Sequence, residues 1–342
     1  MKEFHKNISQ WIEEKKTFAI ATVIQAWGSS PRPIGSAMIV SEDLEMMGSV
    51  SGGCVEGQIL REAQTVLMDG QSKRLAYGIT DENAWSVGLS CGGKMQVFLE
   101  DFTKFEAKNK AIWTALQMCF QNDKGCILVR KIEEGASEYL LIYPNGTTVG
   151  TTQNDVLIQE GLSAYKERKS QVFTHNETAY FAQIFPKKDQ LLIVGAAHIT
   201  VDLLQLAKLY DFETVLIDPR KVFAEKTQFT IPPDQLLIDY PSEVLSNFDL
   251  DAYTYAVILS HDPKIDDNAL HVLLKSNIGY IGALGSRKTH AKRVARLQEA
   301  GFDEKNIARI YAPIGLDIRA KKPKEIALSI MAELVKVRNV GS

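Results

Sequence analysis

Leu191-Leu192-Ile193-Val194-Gly195-Ala196-Ala197-His198 decides the fold of the second half of the chain. Four apolar residues read as a buried strand, the glycine and two alanines as a tight turn, and His198 as the opening of a helix over 198–209. Asp218 closes the next strand, Thr214–Ile217. Gly195 permits the turn, and small residues behind it let the backbone approach a pyrophosphate at the helix N-terminus. The acidic residue can accept ribose hydroxyls. The Gly-x-Gly-x-x-Gly/Ala fingerprint is incomplete, with Ala197 at its second position and Thr200 at its third. Two readings stay open: a dinucleotide site, or a Rossmann scaffold used for packing or for another nucleotide.

Outward from this stretch, strands alternate with helices: Tyr255–Leu259, a helix over 266–275, Tyr280–Leu284, a helix over 287–300 and a final helix, Pro323–Val337. That alternation predicts a Rossmann-type, doubly wound parallel sheet. Ligands of such sheets bind beyond the carboxyl ends of the strands. The loops there carry Ser260-His261-Asp262 and Gly285-Ser286-Arg287. Arg287, with Ser286 and local N–H groups, is suited to a phosphate, and His261 to acid–base work or to capping.

Before the polar break Lys187-Lys188-Asp189 the character differs, which divides the chain into domains 1–186 and 187–342. A helix over 4–16 precedes strand Phe18–Gln25, the Gly- and Pro-rich loop 28–35, strands Ala37–Val40 and Met46–Val50, helix Val55–Leu67, and strands Arg74–Tyr77 and Lys94–Glu100. A second copy of this plan is readable in Ile127–Arg130, Glu138–Tyr143, Thr147–Gly150, Val156–Lys169 and Gln171–Phe185. Gly150 aligns with Gly48, and Asn154-Asp155-Val156 stands where the first copy has Gly52-Gly53-Cys54. The expected class is α/β, an N-terminal α/β domain with a candidate internal repeat joined to the Rossmann domain.

The chemistry of the first half centres on two cysteines. Ser51-Gly52-Gly53-Cys54-Val55-Glu56 sets a thiol at a helix start, where the helix field favours thiolate and glycine N–H groups are open to an anion. Cys91-Gly92-Gly93 sets a second thiol in another permissive loop. Together they present two sulfurs, or a sulfur and an anion nest, to one ligand. Cys119 and Cys126 sit among apolar positions and read as buried and inert. Arg32, between Pro31 and Pro33, is either an anion contact or a solvated loop residue.

Composition bounds the function. The 342 residues are 45 % hydrophobic and 24 % charged, and 39 Lys and Arg against 42 Asp and Glu leave a net charge of -3. That balance gives no general attraction to nucleic acid. No apolar run is long enough for a membrane span and no secretory leader is visible. Four cysteines without CxxC spacing fit free thiols in a reducing cytoplasm.

The ordered motifs resemble the xanthine dehydrogenase accessory factors, the XdhC/CoxI family. They comprise Gly28-Ser-Ser-Pro-Arg32 with Gly35, Gly48-Ser-Val-Ser51-Gly52-Gly53-Cys54-Val-Glu56, Cys91-Gly92-Gly93, Gly195-Ala-Ala-His198, Asp218-Pro-Arg220, Ser260-His261-Asp262, Gly285-Ser286-Arg287, Ala312-Pro-Ile-Gly-Leu-Asp317 and Pro323–Ile330. The resemblance implies a maturation factor that binds molybdenum cofactor, supports its sulfuration and inserts it into an apo molybdenum hydroxylase. It implies a cysteine desulfurase as partner, a homodimer, and a chaperone more than a turnover enzyme. The family's two cysteines map to Cys54, a candidate molybdenum contact, and Cys91. Its first Rossmann turn usually reads Gly-Ala-Gly-His, so Ala197 departs from the pattern, as does Arg319 after Leu316-Asp317-Ile318. Two other classes stay open. One is an NAD(P)-dependent oxidoreductase with His261 as acid–base group. The other is a thiol-based redox regulator with a reversible Cys54–Cys91 disulfide.

Overall fold

The computed structural model describes residues 1–28, 32–53, 55–78, 93–135, 138–150, 154–221 and 229–340. The chain divides into two compact units, Met1–Lys187 and Lys188–Ser342.

The first unit holds two antiparallel five-stranded sheets. One is formed by β1 (Phe18–Trp27), β2 (Ala37–Ser41), β3 (Met46–Gly48), β4 (Lys73–Tyr77) and β5 (Lys94–Asp101) in the order β3-β2-β1-β5-β4. The other is formed by β6 (Cys126–Lys131), β7 (Tyr139–Ile142), β8 (Thr148–Val149), β9 (Gln171–His175) and β10 (Thr178–Phe185) in the order β8-β7-β6-β10-β9. Strand for strand, the orders are the same. The registers match too: Ala21 pairs Met38 and Leu99, and Val129 pairs Leu140 and Ala182. Gly48 and Gly150 both have positive φ, and a Cβ on either would press on the carbonyl of the neighbouring strand, at Ala37 and Tyr139. The internal repeat is therefore present in the backbone.

Each sheet places alternate residues on two faces, as the period of a strand requires. In β1, Ala19, Ala21 and Val23 pack against Val55, Ile59, Ala63 and Val66 of the segment opening α2 (Glu56–Asp69), while Phe18 and Ile20 face a second core. That core is completed by Ile8 and Trp11 of α1 (His5–Glu13), by Phe102 and Phe105 of α3 (Phe102–Lys108), by Trp113 and Leu116 of α4 (Lys110–Gln121), and by Leu128 and Leu141 of the second sheet. In the second copy, α5 (Asp155–Lys166) covers β6 and β10 as α2 covers β1 and β5.

The second unit is a six-stranded parallel sheet of β11 (Gln190–Val194), β12 (Glu213–Ile217), β13 (Gln235–Leu237), β14 (Thr254–Ile258), β15 (Tyr280–Ala283) and β16 (Ile310–Tyr311). Its order, β13-β12-β11-β14-β15-β16, is the Rossmann order. Leu191 and Ile193 of β11 pack toward α6 (His198–Leu209) and α11 (Pro323–Val340), while Leu192 and Val194 pack toward α8 (Pro263–Leu273) and Leu297 of α9 (Arg287–Glu299). Helices thus cover both faces. The short α7 (Pro241–Val244) and α10 (Glu304–Ile307) complete the unit. Helix α8 starts earlier than the sequence pattern suggests, because Asp262 caps the N–H of Lys264 and Pro263 takes the first turn. Strands β13 and β16 are too short to carry a periodic signal. Among the described residues no helix is long and apolar enough to cross a membrane.

Candidate functional site

The Gly-Gly-Cys motif lies between β3 and α2. Gly52 and Gly53 have φ of 78° and 121°, where L side chains are strained, and a Cβ on either would meet open space. Their requirement for glycine is therefore conformational. The turn is wrapped around Glu56, which is 8 % exposed. Its Oε1 accepts from Ser49 Oγ at 2.7 Å and from the N–H groups of Val50, Ser51 and Gly52 at 3.2, 2.9 and 3.1 Å. Its Oε2 accepts from Ser51 Oγ and from the N–H groups of Gly53 and Val55 at 2.9 and 3.2 Å. Ser49 Oγ also accepts from Gly52 N–H, and Ser51 Oγ from Val55 N–H. Burial alone would raise the Glu56 pKa, but the bonds from Ser51, Ser49 and the backbone outweigh it and hold the carboxyl at about 2.

This geometry corrects one expectation. The N–H groups of Gly52 and Gly53 are not open to an external anion, because an internal carboxylate takes them. Glu56 and Ser51, which the motif sets beside Cys54 as candidate cofactor contacts, are engaged with their own turn. Cys54, Cys91 and Gly92 lie outside the described residues, and Gly93 is buried just before β5. Arg32 is exposed on the loop after β1. That loop is closed by Gly35, which donates to Val23 O at 2.8 Å, and its carbonyl accepts from Gln183 Nε2 at 2.9 Å.

Tyr77 was not visible as a site neighbour from sequence. Lys73, Leu75 and Tyr77 share one face of β4 by strand periodicity. Lys73 Nζ meets Glu62 of α2 at 3.0 Å, and Tyr77 lies in the same core as Val55 and Ile59 at the start of that helix. The Tyr77 hydroxyl there is buried and without a hydrogen-bond partner among the described residues. Burial, then the charges of Glu62 and Glu56, push its pKa up, so it stays a donor.

In the second unit the expected residues do line the carboxyl edge of the sheet. Gly195 has φ of 107°, and a Cβ there would lie 2.4 Å from Ser260 N, so the first turn and the Ser260 loop touch through glycine. Thr200, at the third fingerprint position, is buried and its hydroxyl donates to Gly195 O at 2.7 Å. Ala197 has φ of −80°, so this turn does not demand glycine at the second position. His198 opens α6 exposed, and no side chain caps that helix.

The acidic residue is otherwise occupied. Asp218 is 0 % exposed. Its Oδ1 accepts from Arg220 N and Nε, both at 2.9 Å, and its Oδ2 from Arg220 Nη2 and Ala196 N, both at 2.8 Å. Burial opposes ionisation, and these donors win, holding the carboxyl below its ordinary range. With two donors on each oxygen, the Asp218 carboxylate is engaged with the first turn and with Arg220 in this structure. Asp262 and Ser286 likewise act locally, capping α8 and α9 through the N–H groups of Lys264 and Thr289. His261, the residue before Asp262, is exposed with φ of 59°. Gly285 has φ of 137°, and Arg287 is exposed in the first turn of α9.

Behind this edge runs a buried network that the sequence pattern does not announce. Ser260 Oγ donates to Asp266 Oδ1 at 2.5 Å, and Arg293 Nη2 donates to Leu284 O at 2.9 Å and to Asp266 Oδ2 at 3.2 Å. Burial raises the Asp266 pKa against these bonds. The available signal was an arginine four residues before Leu297, on the apolar stripe of α9.

Comparison with known proteins agrees in both units. Residues 11–78 match the family described as XdhC and CoxI, and residues 191–334 match the XdhC Rossmann domain. A Bacillus subtilis protein described as a probable xanthine dehydrogenase subunit is 28 % identical, over 99 % of this chain and 98 % of its own length. The "Molybdenum cofactor insertion chaperone PaoD" of Escherichia coli is 24 % identical, over 94 % of this chain and 84 % of its own length. A crystal structure described as a xanthine dehydrogenase from Bacillus halodurans superimposes with a TM-score of 0.66 at 27 % identity, covering 98 % of this chain and 96 % of that one. With both halves matched in order on one chain, the protein belongs to the XdhC and CoxI family.

Proposed function

We propose that this protein is an accessory factor for a molybdenum hydroxylase of the xanthine dehydrogenase type. In this reading it takes up molybdenum cofactor as cargo, supports its sulfuration and hands it to the apo-enzyme. It would act in the cytoplasm as a homodimer, with a cysteine desulfurase as sulfur source. The names carried by the Bacillus and Escherichia coli relatives support the class of function.

The observation that carries the proposal to a site is the turn wrapped on Glu56. A helix start needs no more than one capping side chain, yet here a whole turn is held on both sides of residue 54. In this reading Cys54 contacts the molybdenum or its sulfido group, with Cys91 as the second thiol. Arg32, Gly93, Gly195, His198, Gly285 and Arg287 are further candidate cargo contacts. Affinity should be moderate, since the cargo must leave to a partner.

The test is co-purification from cells that make molybdenum cofactor, with pterin and metal assayed on the wild type and on Cys54→Ala. Retention by the wild type and its loss in the variant support the reading. Equal retention by both would remove Cys54 from it, and no retention by either would remove the carrier function.

A further inference from the structure

The repeat supplies an internal control for the Gly-Gly-Cys turn. Helix α5, the counterpart of α2, begins at Asn154, whose side chain accepts one N–H bond, from Val156 at 3.0 Å. That single cap suffices for a helix packed on this kind of sheet. Helix α2 has no such cap: Val55 precedes it and offers no polar side chain. In its place the first helical residue, Glu56, turns back and gathers five backbone N–H groups and two hydroxyls. The two oxygens divide the work. Oε1 holds the limb before residue 54, from Ser49 to Gly52, and Oε2 holds Gly53 and Val55, which flank it.

We propose that Glu56 is the positioning residue of this turn: a tethered anion that fixes the backbone on both sides of residue 54 and keeps external anions off the glycine N–H groups. The inference rests on the reading of Cys54 as the cargo residue only for its consequence, not for its geometry. Consecutive N–H groups in such a turn form a nest that binds anions, and the nest here carries its own. Both oxygens must be acceptors. A glutamine of nearly the same shape turns one oxygen into an N–H donor facing N–H donors, so one limb is released although the volume is kept.

The experiment compares the full-length wild type with Glu56→Ala, Glu56→Gln and Cys54→Ala. Amide hydrogen exchange of residues 50–55 and of β11 is followed with and without acetate, and cofactor retention is assayed in parallel. In Glu56→Ala and Glu56→Gln the turn amides should exchange about tenfold or more faster, the loss expected for one or more hydrogen bonds, while β11 is unchanged. Acetate should restore slow exchange and retention in Glu56→Ala, by filling the vacated nest, but not in Glu56→Gln. Unchanged exchange in both variants, or no response of Glu56→Ala to acetate, would overturn the tethered-anion role. Cys54→Ala separates the two claims. Lost retention with a slow-exchanging turn upholds both, and full retention with a slow-exchanging turn sinks the cargo reading while the Glu56 assignment stands.

Discussion

Arg220 grips Asp218 across a single proline, with its backbone N–H and Nε on one carboxylate oxygen and Nη2 on the other. The carboxylate is the residue that would read a ribose in a dinucleotide-binding Rossmann domain, and here it serves as the internal partner of the arginine. The wild type should show no saturable binding of NAD(H) or NADP(H) by calorimetric titration. Arg220→Ala strands a buried charge and should cost about 3 kcal/mol, the penalty of breaking such a pair. Urea unfolding reads the cost. Micromolar binding of a nicotinamide dinucleotide by the wild type would mean that Arg220 swings away, and the locked carboxylate would not describe the working protein.

The first unit contains a comparable pair with a different task. Arg130, 1 % exposed on β6, donates to Glu100 on β5 at 2.6 Å and to Gln183 on β10 at 3.1 Å, and Tyr139 on β7 donates to the other Glu100 oxygen. The network ties the sheet of one repeat to the sheet of the other. Its guanidinium lies between the rings of Phe98 and Phe181. Arg130→Ala should lose about 3–5 kcal/mol, whereas Arg130→Met with Glu100→Leu should recover most of it, because removing both charges also removes their desolvation cost. A double variant no more stable than the single one would show that Tyr139 and Gln183 depend on the charges.

Gly53 and Gly57, four residues apart, should respond in opposite directions. Gly53→Val forces a β-branched residue to φ of 121° and should cost about 2 kcal/mol, although no atom stands in its way. Gly57 lies inside α2 with open space for a Cβ, so Gly57→Ala should gain about 0.5–1 kcal/mol from helix propensity. Thermal unfolding of the two variants reads both signs. A destabilised Gly57→Ala would point to an unseen contact on that face.

The Rossmann half was legible because Leu191–Val194 and Tyr255–Leu259 are continuous apolar runs set between amphipathic helices, a pattern with few other solutions. The repeat was legible through Gly48 and Gly150, since both backbones need the same positive φ. What stayed hidden was where polar side chains turn. Glu56, Asp218 and Asp262 are residue types suited to ligands, and only three-dimensional structure shows that each accepts N–H bonds from residues within a few positions of itself. Arg293 and Arg130 were hidden for a related reason. A buried arginine is identified by its distant partners, Asp266 and Glu100, and no local spacing announces them.

The Glu56 cradle also sets an acid limit on the turn. Its carboxyl sits at about 2 in the folded chain, against 4.5 for the ordinary group. As pH falls below 4.5 the unfolded chain takes the proton first, which draws the equilibrium toward unfolding. The stability contributed by Glu56 is therefore complete above that value, and it is lost progressively as pH drops toward about 2. Glu56→Gln has no such proton to bind. The stability gap between wild type and Glu56→Gln should be constant from about pH 8 to 6 and narrow steadily between about 4.5 and 3. Urea midpoints measured across this range read the gap. A gap that stays constant down to about pH 3 would mean that the carboxylate titrates alike in folded and unfolded chains, and that its bonds to the turn do not favour the charged form.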